Sequence, residues 1–212
     1  MTLIEQLTAV IIAIAQDISN NSGNNGGSSS DNSALLPPKI GEKWYQSGLR
    51  YGADYPYPYA MAMVTPNSGW QHFIPFTALE DATITELGVL CTTAKSGATV
   101  SLGIYESDSN NDLSNPLFTS NPMDCSTTGA KNATCNVQIT KGKVYWLSSL
   151  VIGSPAFTRN FNELKPIKGN TTPNQPSIIG YNTSGNSSMA QSAPTNKSDM
   201  ANGVPRVMFK TG

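Results

Sequence analysis

Residues 99–105 read TVSLGIY, and this stretch decides the fold class. Val100, Leu102 and Ile104 fall on one side of an extended chain, and Thr99, Ser101, Gly103 and Tyr105 fall on the other. Side chains along a strand alternate faces, so the pattern predicts a β-strand with one buried side. Seven further runs share the texture: YAMAMVT (59–65), HFIPFTA (72–78), ATITELGVLCTT (82–93), CNVQIT (135–140), KVYWLSSLV (143–151), SIIGYN (177–182) and RVMFK (206–210). Each is rich in Val, Ile, Thr, Tyr or Phe, and turn residues separate them. Roughly eight short strands of this kind predict an all-β fold, an antiparallel β-sandwich that is jelly-roll-like. The expected sandwich domain covers residues 35–212, long enough to bury a core without disulfide staples.

Just downstream, ESDSNNDLSNP (106–116) reads as a polar loop. Asp108, Asn110 and Asp112 alternate in it, as ligands do in a calcium loop. The EF-hand pattern then needs Gly and Glu where Leu113 and Thr119 stand. A weak calcium site and an Asx-rich turn are the two readings, and the missing residues favour the turn. No metal site and no cofactor are expected.

Charged residues make up 13% of the chain and the net charge is −1, against ~25% charged residues in ordinary soluble domains. No basic field exists to hold nucleic acid, and no polybasic segment exists to hold an anionic membrane. Three cysteines, Cys91, Cys125 and Cys135, are too few and too odd in number for a complete disulfide framework. Cys125 and Cys135 bracket STTGAKNAT and are spaced for a bridge at a hairpin mouth. The other reading is three reduced, mostly buried thiols.

His72 is the single histidine, set in WQHFIPF. A Ser/His/Asp triad would have to use it, but its apolar setting reads as a packed or surface histidine. Asp54, Glu80, Asp81 and Glu106 are candidate carboxylates for glycoside hydrolysis, and nothing in their spacing selects a pair. No catalytic residue is therefore expected. In LRYGADYPYPYAMA (49–62), Tyr51, Tyr55, Tyr57 and Tyr59 interleave with Pro56 and Pro58. These tyrosines are candidate ligand-binding aromatics for a sugar or a protein partner; the other reading is a packed strand-edge segment.

The opening LIEQLTAVIIAIAQDI (3–18) is the one strongly helical stretch. It lacks the basic start of a signal peptide. Its unbroken apolar run, AVIIAIA, is too short for the roughly 20 residues of a membrane span. Ile4, Leu7, Ile11, Ile14 and Ile18 recur in steps of three and four, a heptad seam. An isolated helix with this stripe is marginal in water and needs partners, and Ile at both seam positions favours three or more strands. The alternative is an amphipathic helix packed on its own domain. Residues 1–18 are thus expected to be an oligomerisation or docking helix, and the Gly/Ser/Asn tract 19–34 a flexible linker. Six N-x-S/T sequons, at Asn20, Asn132, Asn170, Asn182, Asn186 and Asn196, arise easily in a chain this rich in Asn, Ser and Thr.

Three stretches together resemble a known group. TVSLGIYESDSNNDLSNPLF (99–118), ITKGKVYWLSSLV (139–151) and VPRVMFK (204–210) stand in the order seen in β-sandwich appendage proteins of tailed bacteriophages, of the tail fibre, minor tail and head fibre type. The N-terminal helical stretch is similar to the one that often precedes that module. The resemblance implies a non-enzymatic virion structural protein with a coiled-coil trimer stem, assembled in the host cytoplasm. Its partners would be itself, other virion proteins through the helix, and host-surface glycan at the sandwich, with no nucleic acid and no membrane insertion. It implies core and turn roles for Gly103, Ile104, Tyr105, Tyr145 and Trp146. The long tract 170–203 departs from the group's pattern. Two alternatives are a carbohydrate-binding module of a cellular protein and, more remotely, a polysaccharide depolymerase.

Overall fold

β-Branched and aromatic side chains favour a pleated, packed surface, and the described chain is strand throughout, with no helix. The computed structural model describes residues 43–53, 62–159, 180–200 and 204–212, all within the unit Pro37–Gly212. The helix expected over 1–18, with Ile4, Leu7, Ile11, Ile14 and Ile18, lies outside the described residues, as do the linker 19–34 and Tyr55, Tyr57 and Tyr59.

Strands are numbered in chain order. One sheet holds β1 (Arg50–Gly52), β2 (Met63–Val64), β4 (Ala82–Thr93), β8 (Gly129–Ile139), β10 (Ala156–Thr158) and β13 (Met208–Thr211). The other holds β3 (Trp70–Thr77), β5 (Thr99–Ser107), β6 (Leu113–Thr119), β7 (Met123–Asp124), β9 (Val144–Ile152), β11 (Gly180–Thr183) and β12 (Ser198–Met200). The pairings in both sheets are antiparallel. In the first sheet the order is β1-β13-β4-β10-β2, with β8 on the other edge of β4. In the second the order is β12-β11-β3-β9-β5-β6, with β7 beside the start of β5.

One apolar core joins the two sheets. Ile84, Leu87, Val89 and Phe209 from the first sheet meet Val100, Leu102, Ile104, Leu147 and Val151 from the second. Burying a large apolar side chain stabilises by about 1.5–3 kcal/mol, so this β-sandwich-like arrangement gains most from its centre. Between β8 and β9, the Lys143 N–H donates to Thr140 O at 3.1 Å and closes a tight turn. Gly142 stands in that turn at φ +81, where a side chain would be strained.

Three sequence expectations need correction. First, β5 is not half-solvated: Ser101, Gly103 and Tyr105 are as buried as Val100, Leu102 and Ile104. The segment after β11 crosses this outer face. Met189 joins Phe73, Tyr105, Leu113, Trp146 and Leu150 in a second, smaller core. Gly103 makes room for it, since a Cβ there would come within 2.8 Å of Met189 Cε. Second, the loop read over 106–116 ends early, because Leu113 already begins β6. That strand holds Pro116 and lies at a sheet edge, where a missing N–H is tolerated. Third, β8 begins six residues before the CNVQIT run, at Gly129. Its early residues are small or polar, and pairing with β4 rather than propensity holds them extended.

Candidate functional site

Tyr51 sits in the interior and is not a surface aromatic. It is 5% exposed, with its ring edge-on to Tyr45 at 5.0 Å. Pairing of β1 with β13 sets it beside Phe209, and its hydroxyl accepts the Gln46 N–H at 2.6 Å. Its ring therefore presents no face to a ligand.

Of the ionisable residues singled out by sequence, Glu80 and Asp81 hold backbone N–H groups and His72 is buried. His72 lies on β3 between Ser149 of β9 and Asn182 of β11. Burial pulls its pKa down to about 4, partly offset by a bond to the Ser149 backbone. The imidazole is thus neutral near pH 7, and its Nδ1 has no hydrogen-bond partner among the described residues. Glu80 accepts the N–H groups of Trp44 at 3.0 Å and Tyr45 at 2.8 Å. Asp81 accepts the Lys141 N–H at 2.7 Å. Asp54 lies outside the described residues, and Glu106 is half-buried at the end of β5.

The loop after β5 forms the Asx turn that the sequence favours over a calcium site. Asp108 Oδ1 accepts the N–H of Asn110 at 2.8 Å and of Asp112 at 2.9 Å. Asn111 takes φ +61, the left-handed conformation that Asn tolerates. Both Asp112 oxygens receive the Lys197 ammonium at 2.7 Å. Partial burial pushes this carboxyl up, but Lys197, the Leu113 N–H and the Tyr181 hydroxyl together hold it below the usual value. Carboxylates filled by donors in this way do not face a common cation position. Among the described residues no cluster of three or more His, Cys, Asp or Glu side chains is spaced to hold a metal.

Sequence reading missed the polar network on the outer face of the second sheet. Gln71 is wholly buried there, and its Nε2 donates to the Tyr105 hydroxyl and to Ser148 Oγ, each at 3.0 Å. Its Oε1 accepts the Ala190 N–H at 3.0 Å, and Tyr105 donates to Ala190 O at 2.6 Å. Burial pushes the Tyr105 phenol up to about 12, so it stays a donor at ordinary pH. Nearby, Trp146 stacks on Tyr181 at 5.2 Å, and Lys197 Nζ lies 4.6 Å from the Tyr181 ring centroid. A stacked indole and an ammonium both contact the Tyr181 ring, so it makes a poor sugar platform. Trp146 Nε1 donates to Ser107 Oγ at 2.9 Å. These contacts fasten the stretch 186–197 onto the sheet. The only local signal for them was a glutamine beside His72 in a strand otherwise apolar.

An open groove lies between the β6–β7 connection and the middle of β8. It measures about 330 Å³ and is lined by Phe118, Thr119, Asn121, Met123, Asn132 and Thr134, among others. None of its lining side chains is ionisable. Hydroxyls and amides beside one aromatic ring suit a neutral polyhydroxylated ligand better than a phosphate or nucleotide. The volume is at the lower end of the roughly 300–1,000 Å³ typical of ligand clefts. Asn132 is held in place, its Oδ1 accepting from Arg50 Nη2 at 3.0 Å. Ser120 Oγ accepts the Leu102 N–H at 2.9 Å and donates to Asn121 O at 2.9 Å, which anchors the groove floor to β5.

Of the two readings of the cysteines, the bridge between Cys125 and Cys135 is not formed. All three cysteines are free: Cys91 Sγ faces Thr93 O at 3.5 Å, Cys125 Sγ faces Met123 O at 3.7 Å, and Cys135 Sγ faces Ile84 O at 3.5 Å. Compared with known proteins, the chain matches no protein-family model and no curated protein.

Proposed function

We propose that this chain is a non-enzymatic bacteriophage virion structural protein. It would be a trimeric tail or head fibre appendage whose sandwich is displayed for attachment to host-surface glycan or for capsid decoration. The strand order carries the reading. With β2, β7, β10, β11 and β12 set aside, one sheet runs β1-β13-β4-β8 and the other β3-β9-β5-β6. That is the order two Greek keys produce in a jelly roll, an architecture that recurs in viral capsid and lectin domains. Folds host many functions, so site chemistry must separate binding from catalysis. The neutral groove beside β8 supports glycan contact. The structural commitments of His72, Glu80, Asp81 and Asp112 favour binding over depolymerisation. The same groove favours a second reading, a carbohydrate-binding module of a cellular protein, which would need no associating stem.

The stem distinguishes the two readings. Light scattering should find the full chain trimeric at micromolar concentration, and a chain starting at Ala34 much weaker in association or monomeric. Ile11→Asp should act like the deletion, because a charge buried at a seam is strongly unfavourable. Equal trimers from both chains would move the contacts to the sandwich, and a monomeric full chain would remove the self-assembling stem. Retention of a host polysaccharide without release of reducing ends would keep the binding role and exclude the depolymerase.

A further inference from the structure

Asn132 is exposed on β8, yet one end of its amide is fixed from the far side of the sheet. Arg50 stands on β1, and β13 and β4 lie between it and β8. In the register, Arg50 is level with Lys210, Glu86 and Thr134, and Asn132 is level with Gly88. Glu86 and Gly88 flank Leu87 of the core, so both face outward. The Arg50 guanidinium therefore crosses the outer face diagonally. Its Nη2 donates to Glu86 Oε1 and, at 3.0 Å, to Asn132 Oδ1. Lys210 Nζ stands 3.6 Å from the same Glu86 oxygen. Gly88 leaves the path open: a Cβ there would lie 2.5 Å from both Arg50 Nη1 and Asn132 Oδ1. An amide whose oxygen is held this way keeps its Nδ2 as the free end, a pure donor. No group among the described residues accepts from that Nδ2.

We propose that Asn132 is the specificity-determining donor of the groove beside β8, that Arg50 is its positioning residue, and that the ligand is a neutral sugar presenting an acceptor oxygen to Asn132 Nδ2. This rests on the glycan-binding reading of the groove. Phe118 and Met123 line it and also pack against the main core, which holds them in place. Thr119, Asn121 and Thr134 surround them with hydroxyls and an amide. A sugar ring has an apolar face for the first pair and hydroxyls for the rest, the mixture of apolar surface and few placed polar groups that fixes a small ligand. The acceptor is a ring hydroxyl or the carbonyl of an acetamido group. Arg50 does not line the groove, so it acts only through Asn132, and Glu86 offsets its charge.

The test titrates the full chain by calorimetry with maltoheptaose, whose sugars carry only hydroxyls, and with chitohexaose, whose sugars carry acetamido groups. The chain should bind at least one of them. Asn132→Ala should weaken binding about 3- to 10-fold, the worth of one neutral hydrogen bond. Arg50→Met should weaken it about 2- to 5-fold, because the freed amide must then be ordered on binding. Gly88→Ala should act like Arg50→Met, since its methyl displaces the ends of both side chains. Asn132→Asp sorts the two acceptors. It keeps the Arg50 bond but offers only oxygens, so a hydroxyl still binds by donating and a carbonyl is lost. Asn132 is exposed, so its variants leave the fold intact, and a urea midpoint reports any stability lost with Arg50. A purely structural Arg50 would lower that midpoint and leave affinity unchanged, which would overturn its positioning role. Unchanged affinity in Asn132→Ala would overturn the whole assignment and leave the glycan reading standing. A full chain that binds neither sugar would remove both.

Discussion

The two faces of the second sheet are buried to a similar degree by different chemistry. On the inner face Val100, Leu102, Ile104, Leu147 and Val151 join the main core. On the outer face Gln71, Ser101 and Ser148 are equally hidden, and hydrogen bonds satisfy Gln71 and Ser148. The inner face loses water because apolar area is removed from it. The outer face loses water because a later segment lays backbone groups onto matched donors and acceptors. A polar position in a strand can therefore be interior when the covering layer is itself hydrogen-bonded.

The contrast can be broken by graded experiments. Leu102→Ala on the inner face should cost about 2–5 kcal/mol, read as a lower urea midpoint with an unchanged slope. A loss well below 1 kcal/mol would mean that the two sheets do not share a tight core. His72 and its cross-strand partner Ser149 are buried polar residues on the inner face. The folded pKa of His72, about 4, lies below the ordinary 6.5, so on acidification the unfolded chain takes up the proton first. Its contribution is whole above about pH 6.5, declines between pH 6.5 and 4, and is lost below that. The full effect is about 3 kcal/mol relative to a His72→Leu variant. Parallel pH profiles for the two proteins would refute the buried neutral imidazole.

On the outer face, Gln71→Leu strands the Ser148 hydroxyl and the Ala190 N–H and leaves the Tyr105 hydroxyl only its bond to Ala190 O. The expected loss is about 1–3 kcal/mol, with faster amide exchange confined to residues 186–197. Uniformly faster exchange would show that this segment is no separate layer. The smallest effect is expected for Lys197→Met. Its pair with Asp112 is partly exposed, and such pairs contribute about 0.2–1 kcal/mol, less in high salt. A larger, salt-independent loss would make that pair a main fastening of the segment.

Strands with strong local character were legible. ATITELGVLCTT coincides with β4 over Ala82–Thr93, and KVYWLSSLV falls within one residue of β9. Both are rich in β-branched and aromatic residues, and both lie between turn residues. The first half of β8 was not legible, because Gly129–Thr134 is extended through its partner and not through its own propensity. Nor was β6, where an edge position excuses Pro116. The Asx turn at Asp108 was readable because its hydrogen bonds span only two to four residues.

The candidate groove was not legible at all, since its walls come from 118–123 and 132–134, on strands of different sheets. Of the two readings of Tyr51, the packed one holds, for a reason the local pattern does not supply. The Tyr/Pro interleaving around it is local, whereas its burial depends on pairing with Phe209 near the other end of the chain. Alternation and turn residues by themselves determined that the described residues would be strands with an apolar inner face. Those signals act between near neighbours and follow from backbone geometry. Only the tertiary structure decided that the polar face of β5 is also interior, that Tyr51 packs beside Phe209, and that Gln71 holds Ala190. Each of those contacts joins residues far apart in sequence, and their partners are set by strand register and packing.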